Sequence, residues 1–152
     1  MKATEAKGTG PRLLIAGLGN LLLRDDGVGI HAIQELQKAS PPGVVLADVG
    51  AALLDALHLF EAADIVLALD AMQAGGEPGT IYAFGVGDVD ESQIQNSLHE
   101  LGLVAAFRFL AEDKRPRIAI LGVEPAEMNF GMALTPKVAR ERVEKWQMEG
   151  LE

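Results

Sequence analysis

The chain contains no cysteine and only three serines, Ser40, Ser92 and Ser97. The first absence excludes disulfides, thiolate metal sites and a cysteine nucleophile. With so little serine, no G-x-S-x-G nucleophile elbow occurs. Basic residues are outnumbered, 13 against 22 acids, for a formal net charge of −9. That balance argues against nucleic acid or an anionic membrane surface as partner. No apolar run approaches the ~20 residues of a membrane span. The opening stretch MKATEAKGTG lacks the apolar centre of a signal peptide. A cytoplasmic protein is the expectation. Any hydrolytic chemistry must rest on carboxylates, histidine or a metal.

What is present is a pattern of short β-rich runs alternating with longer helical ones. The 152 residues, 49% of them hydrophobic, suit one α/β domain over 1–152, with 1–10 a flexible lead. Residues 12–18 read as a strand. Residues 28–38 read as a helix with Val28, Ala32, Ile33 and Leu36 on one face, and Ser40-Pro41-Pro42-Gly43 stops it. A strand over 44–49, a helix over 51–62 and a strand over 65–69 follow. Residues 81–84 and 118–123 read as two more strands. Between them Ser97 and Glu100 form a capping box for a helix reaching about Ala111. Thr135 and Pro136 fit the N-cap and first position of a last helix. This alternation predicts a twisted, mainly parallel five-stranded sheet with helices on both faces.

In such open sheets, ligands bind beyond the carboxyl ends of the strands. Those ends are rich in acids: Asp25 and Asp26 after the first strand, Asp48 after the second, Asp70 after the third and Glu124 after the fifth. A single acid in a loop is ordinarily just solvated. Asp70 differs, because the run IVLALDAM buries its neighbours and a buried acid needs partners. His31 and His58 fall on the polar faces of their helices and read as surface residues. His99 stands in the first turn of a helix that is apolar almost all round. A helix N-terminus disfavours imidazolium, and neutral imidazole is the form that binds metal. Alone, such a histidine is more often a capped core residue than a ligand. Two carboxylates and an imidazole would suit nickel, zinc or manganese, although no compact metal motif such as H-E-x-x-H occurs.

The stretch GLGNLLLRDDGVG, residues 17–29, resembles a nucleotide-binding turn but has Leu22 where the third glycine of G-x-G-x-x-G belongs, and no G-K-[ST] follows. Taken with IVLALDAMQAGGEPG, SLHELGL and LGVEPAEMNFGMALTPKV in that order, it resembles the hydrogenase maturation endopeptidases over nearly the whole chain. The resemblance implies an enzyme that trims the C-terminal extension from the large-subunit precursor of a nickel–iron hydrogenase. It implies that Asp26, Asp70 and His99 contact metal and carry the reaction, and that Asp48 recognises substrate. Val49 and Ala51 depart from the glycine-rich turn that follows this aspartate in relatives. Nickel would be supplied by the precursor rather than held tightly by the free enzyme. The turn would then present Asp26 to that nickel, with Asn20 steadying the loop through side-chain bonds to backbone. A non-catalytic, nickel-sensing chaperone of the precursor is the alternative.

Overall fold

The computed structural model describes residues 3–4, 10–39, 42–85, 103, 106 and 108–139. Its frame is a sheet of β1 (Ala3–Thr4), β2 (Leu13–Leu18), β3 (Val44–Gly50), β4 (Ile65–Ala71), β5 (Ile81–Gly85) and β6 (Arg117–Val123). Across the sheet the order is β1-β3-β2-β4-β6-β5. The four middle strands are parallel. The two edge strands run antiparallel to their neighbours. The mainly parallel α/β sheet expected from the alternation is present. To its five strands the structure adds β1, two residues long and paired with Leu46 and Ala47.

Period-two alternation along the strands sorts their side chains to two faces. Ile15, Leu46 and Leu69 pack under Ala32, Ile33 and Leu36 of α1 (Val28–Ala39). Leu14, Ala16, Leu18, Ala47, Val66 and Ala68 face the other way. There they meet Phe60 of α2 (Leu57–Ala62), together with the helical residues Leu103 and Ala106 and with Leu110. Both faces of the central strands are therefore covered, which is why those strands read as nearly continuous apolar runs.

Two boundaries differ from the expectation. The helix expected from Ala51 begins late, with a 3-10 turn over Leu54–Ala56 leading into α2. Gly50, at φ +59, turns the chain sharply as β3 ends, so Ala51 and Ala52 are spent on the turn. The helix expected to reach about Ala111 has given way to a turn at Arg108 and Phe109. Its capping box, Ser97 and Glu100, lies outside the described residues.

The order of the strands positions the site. From β2 the chain crosses through α1 to β3 on one side, then returns through α2 to β4 on the other. The connections diverge between β2 and β4, and the crevice beyond their carboxyl ends is where open sheets hold ligands.

Candidate functional site

The turn after β2 is built on Asn20. Its side-chain oxygen accepts the N–H of Leu22 at 2.9 Å, and its carbonyl accepts the N–H of Leu23 at 3.1 Å. This is the side-chain-to-backbone turn expected of Asn20. The chain then enters a 3-10 turn, Arg24–Gly27, which carries both acids of the pair.

The two acids have different surroundings. Asp26 is 8% exposed and its Oδ2 accepts the N–H of Asn20 at 3.0 Å. Asp25 is fully buried. Its Oδ2 accepts the N–H groups of Ala126 at 2.8 Å and Glu127 at 3.0 Å. Thr135 donates its N–H to Oδ1 and its hydroxyl to Oδ2, each at 2.8 Å. Asp25 thus ties the turn to the late loop, whereas Asp26 stays at the crevice. Thr135 does occupy the N-cap position of the helical turn Pro136–Val138, but makes no side-chain cap there, because its hydroxyl is committed to Asp25.

Asp70 is fully buried on the penultimate residue of β4. Its Oδ1 accepts the N–H of Ala71 at 2.8 Å. Gly19 sits between Asp70 and Asp26. A Cβ there would stand 3.3 Å from Oδ1 of Asp70 and would collide with the carbonyl of Asp26. With φ at +119, Gly19 supplies both the turn and the space. Asp48 lies on the neighbouring strand, opposite Gly17, and is partly buried. Its Oδ1 is 3.9 Å from where a Gly50 Cβ would lie, and the Gly19 carbonyl is 3.7 Å from the same point. The Asp70 carboxylate and the main chain of Asp26 therefore flank Gly19 at the carboxyl edge, with Asp48 on the adjoining strand end beside Gly50. His99 lies outside the described residues. Among the described residues, no three histidine, aspartate or glutamate side chains form a group that could hold a metal ion.

Glu124 stands at the same edge but serves the fold. Its carboxylate accepts the N–H groups of Ala74 at 2.7 Å and Gly75 at 3.1 Å, and the hydroxyl of Tyr82 at 3.2 Å. It fastens the loop between β4 and β5. Burial and the charge of Glu124 together push the Tyr82 phenol above its ordinary value.

The hydrogenase maturation protease family model matches residues 30–149. The chain belongs to that family. It is 31% identical over 140 residues to the hydrogenase expression/formation protein HupD of Thiocapsa roseopersicina, covering 88% of this chain and 63% of that protein. It is 29% identical to the hydrogenase 2 maturation protease of Escherichia coli, covering 84% of this chain and 81% of the relative. The chain spans less than two thirds of the length of two HupD relatives, 63% and 64%. Among solved structures, the Escherichia coli endopeptidase HybD superposes with a TM-score of 0.76 at 27% identity, covering 91% of this chain and 88% of that one.

As a member of the hydrogenase maturation protease family, the chain shows two features that its sequence did not. One is the different placement of Asp25 and Asp26, because adjacent acids look alike until the turn aims them apart. The other is His31, which is half-buried rather than a surface residue and bonds through Nε2 to the Met132 carbonyl at 3.1 Å. Burial lowers its pKa despite that bond and the nearby charges of Asp25 and Glu35. Its spacing on α1 gave no hint of a partner 101 residues away. His58 is exposed, as its helix face implied.

Proposed function

We propose that this chain is an endopeptidase that removes the C-terminal extension of a nickel–iron hydrogenase large-subunit precursor after nickel insertion. The observation that carries the reading is that the turn bearing Asp26 and the carboxylate of Asp70 both close on Gly19, at the crevice of a fold of the hydrogenase maturation protease family. Asp26, Asp70 and His99 read the precursor's nickel and align the scissile bond against it. Asp48, at the neighbouring strand end, contacts the substrate segment. One carboxylate accepts a proton from the attacking water as general base, while the water oxygen bonds to the scissile carbonyl carbon. The departing amide nitrogen takes up a proton as its bond to that carbon breaks. The nickel belongs to the substrate, and its presence marks a precursor ready for cutting.

The test is to incubate the dialysed protein with nickel-loaded and nickel-free precursor and to weigh the products by mass spectrometry. Loss of the extension from the loaded form alone is expected. A stable complex whose precursor keeps its full mass would establish the chaperone alternative. Equal cutting of both forms would show that nickel is not what the site reads.

A further inference from the structure

We propose that Asp25 is a positioning residue. It fixes Asp26 by pinning both ends of loop 126–135 to the turn that carries the two acids. The inference rests on the reading of Asp26 as a site acid.

The loop leaves the sheet after β6 and returns at the helical turn Pro136–Val138. One carboxylate closes it, through Ala126 and Glu127 at its start and Thr135 at its end. This is the closure of a compact surface loop whose ends lie together. Its middle is strapped to the same turn. Arg24 donates its N–H to the Gly131 carbonyl at 2.8 Å, and Gly131 donates to the Leu22 carbonyl at 2.9 Å. The Asp25 N–H in turn donates to the Glu127 carbonyl at 3.1 Å.

Four donors converging on two oxygens are what an acceptor-only side chain requires. A buried carboxylate so bonded is held far more firmly than a neutral acceptor. Asp26 is the next residue of the same 3-10 turn. Its own N–H bonds back to Leu23 at 3.0 Å, and its carboxylate meets Asn20. Freeing Asp25 therefore frees the turn between Leu23 and Asp26, and with it the aim of the Asp26 carboxylate.

Asp25→Asn is the principal variant. Whichever way its amide lies, an NH2 group faces a donor, so at least one of the four bonds is lost. Thr135→Val removes the hydroxyl bond alone and guards against a principal variant that fails to fold. Thr135→Ser keeps the hydroxyl and is the rescue control. Two measurements apply to all three.

The first needs no substrate. Amide hydrogen exchange at Asn20 reports whether the Asp26 carboxylate is still in place. In Asp25→Asn this amide should exchange about tenfold faster or more, as loss of a bond to a charged group implies, while amides of β2 and β4 keep their protection. The second is cleavage of nickel-loaded precursor. In Asp25→Asn, kcat should fall about tenfold to a hundredfold, and KM should rise as well because Asp26 also reads the nickel, the pattern of a misaimed group that both binds and aligns. Thr135→Val should show the same pattern more weakly, and Thr135→Ser should match wild type. Unchanged exchange at Asn20 overturns the inference, and so does unchanged kcat where wild type cleaves. If wild type does not cleave, the peptidase reading fails, and the exchange measurement still decides whether Asp25 holds Asp26.

Discussion

Gly19 leaves the space in which the Asp26 carbonyl sits, with Oδ1 of Asp70 flanking the same gap. No residue with a side chain fits there without moving an acid or the backbone beside it. Gly19→Ala adds a methyl group at a positive φ and against a carbonyl. A loss of about 2–4 kcal/mol is expected from backbone strain and overpacking together, with cleavage of precursor falling even under conditions where the variant remains folded. Urea unfolding and a cleavage assay on the folded fraction measure the two effects separately. Wild-type activity in a folded Gly19→Ala would detach this glycine from the site.

The Glu124 clamp makes a different prediction, one about stability and titration. Tyr82→Phe deletes one of three bonds to the carboxylate and should cost about 1 kcal/mol. The raised phenol of Tyr82 resists ionisation in the folded state. Its contribution to stability is therefore complete below pH ~10, the ordinary tyrosine value, and is lost as pH rises through the folded value. Ultraviolet titration should show the phenol ionising above the ordinary value in wild type and closer to it in Glu124→Gln. Part of the shift should persist, since burial is its largest single cause.

His31 gives the acid limb. Burial favours its neutral form. Stability is therefore full above pH ~6.5, the ordinary histidine value, and declines as pH falls below it toward the lowered folded value, because the unfolded chain binds the proton first. Asp25 and Glu35 oppose the shift without reversing it. His31→Gln should unfold with a shallower dependence on pH between about 7 and 5. Thermal melts of both proteins across that range provide the comparison, and the carboxylates common to both cancel in the difference. Parallel curves would show that His31 does not titrate against folding.

Much of the architecture was legible because amphipathic periodicity reports burial directly. Val28, Ala32, Ile33 and Leu36 recur at helical spacing, and all four are buried on α1. The strands of alternating destination showed themselves as apolar runs between turn residues. The features that escaped are set by distant parts of the chain. Thr135 sits at a helix start, and only the fold reveals that its hydroxyl goes to a carboxylate 110 residues earlier. Glu124 looks like another cleft acid, yet its oxygens are taken up by a loop 49 and 50 residues before it. β1 is too short to carry any period at all. The placement of Asp26, Asp48 and Asp70 along one edge follows from strand ends, which a sequence does show, together with strand order, which it does not.

Asp70 offers the sharpest separation of function from fold. Its carboxylate is fully buried on a central strand, and burying a carboxylate carries a desolvation cost that hydrogen bonds must offset. Asp70→Asn has nearly the same shape and no charge. It keeps an oxygen for the Ala71 N–H. Each other bond that its NH2 group cannot accept costs about 1 kcal/mol, so the variant should lose about 1–2 kcal/mol and remain folded. Cleavage of nickel-loaded precursor should fall by about a hundredfold or more, the scale of a lost general base. Calorimetry and the mass-spectrometric cleavage assay, run on the same preparation, decide the matter. A strongly destabilised Asp70→Asn whose folded fraction cleaves at the wild-type rate would make Asp70 a structural residue and remove it from the proposed site.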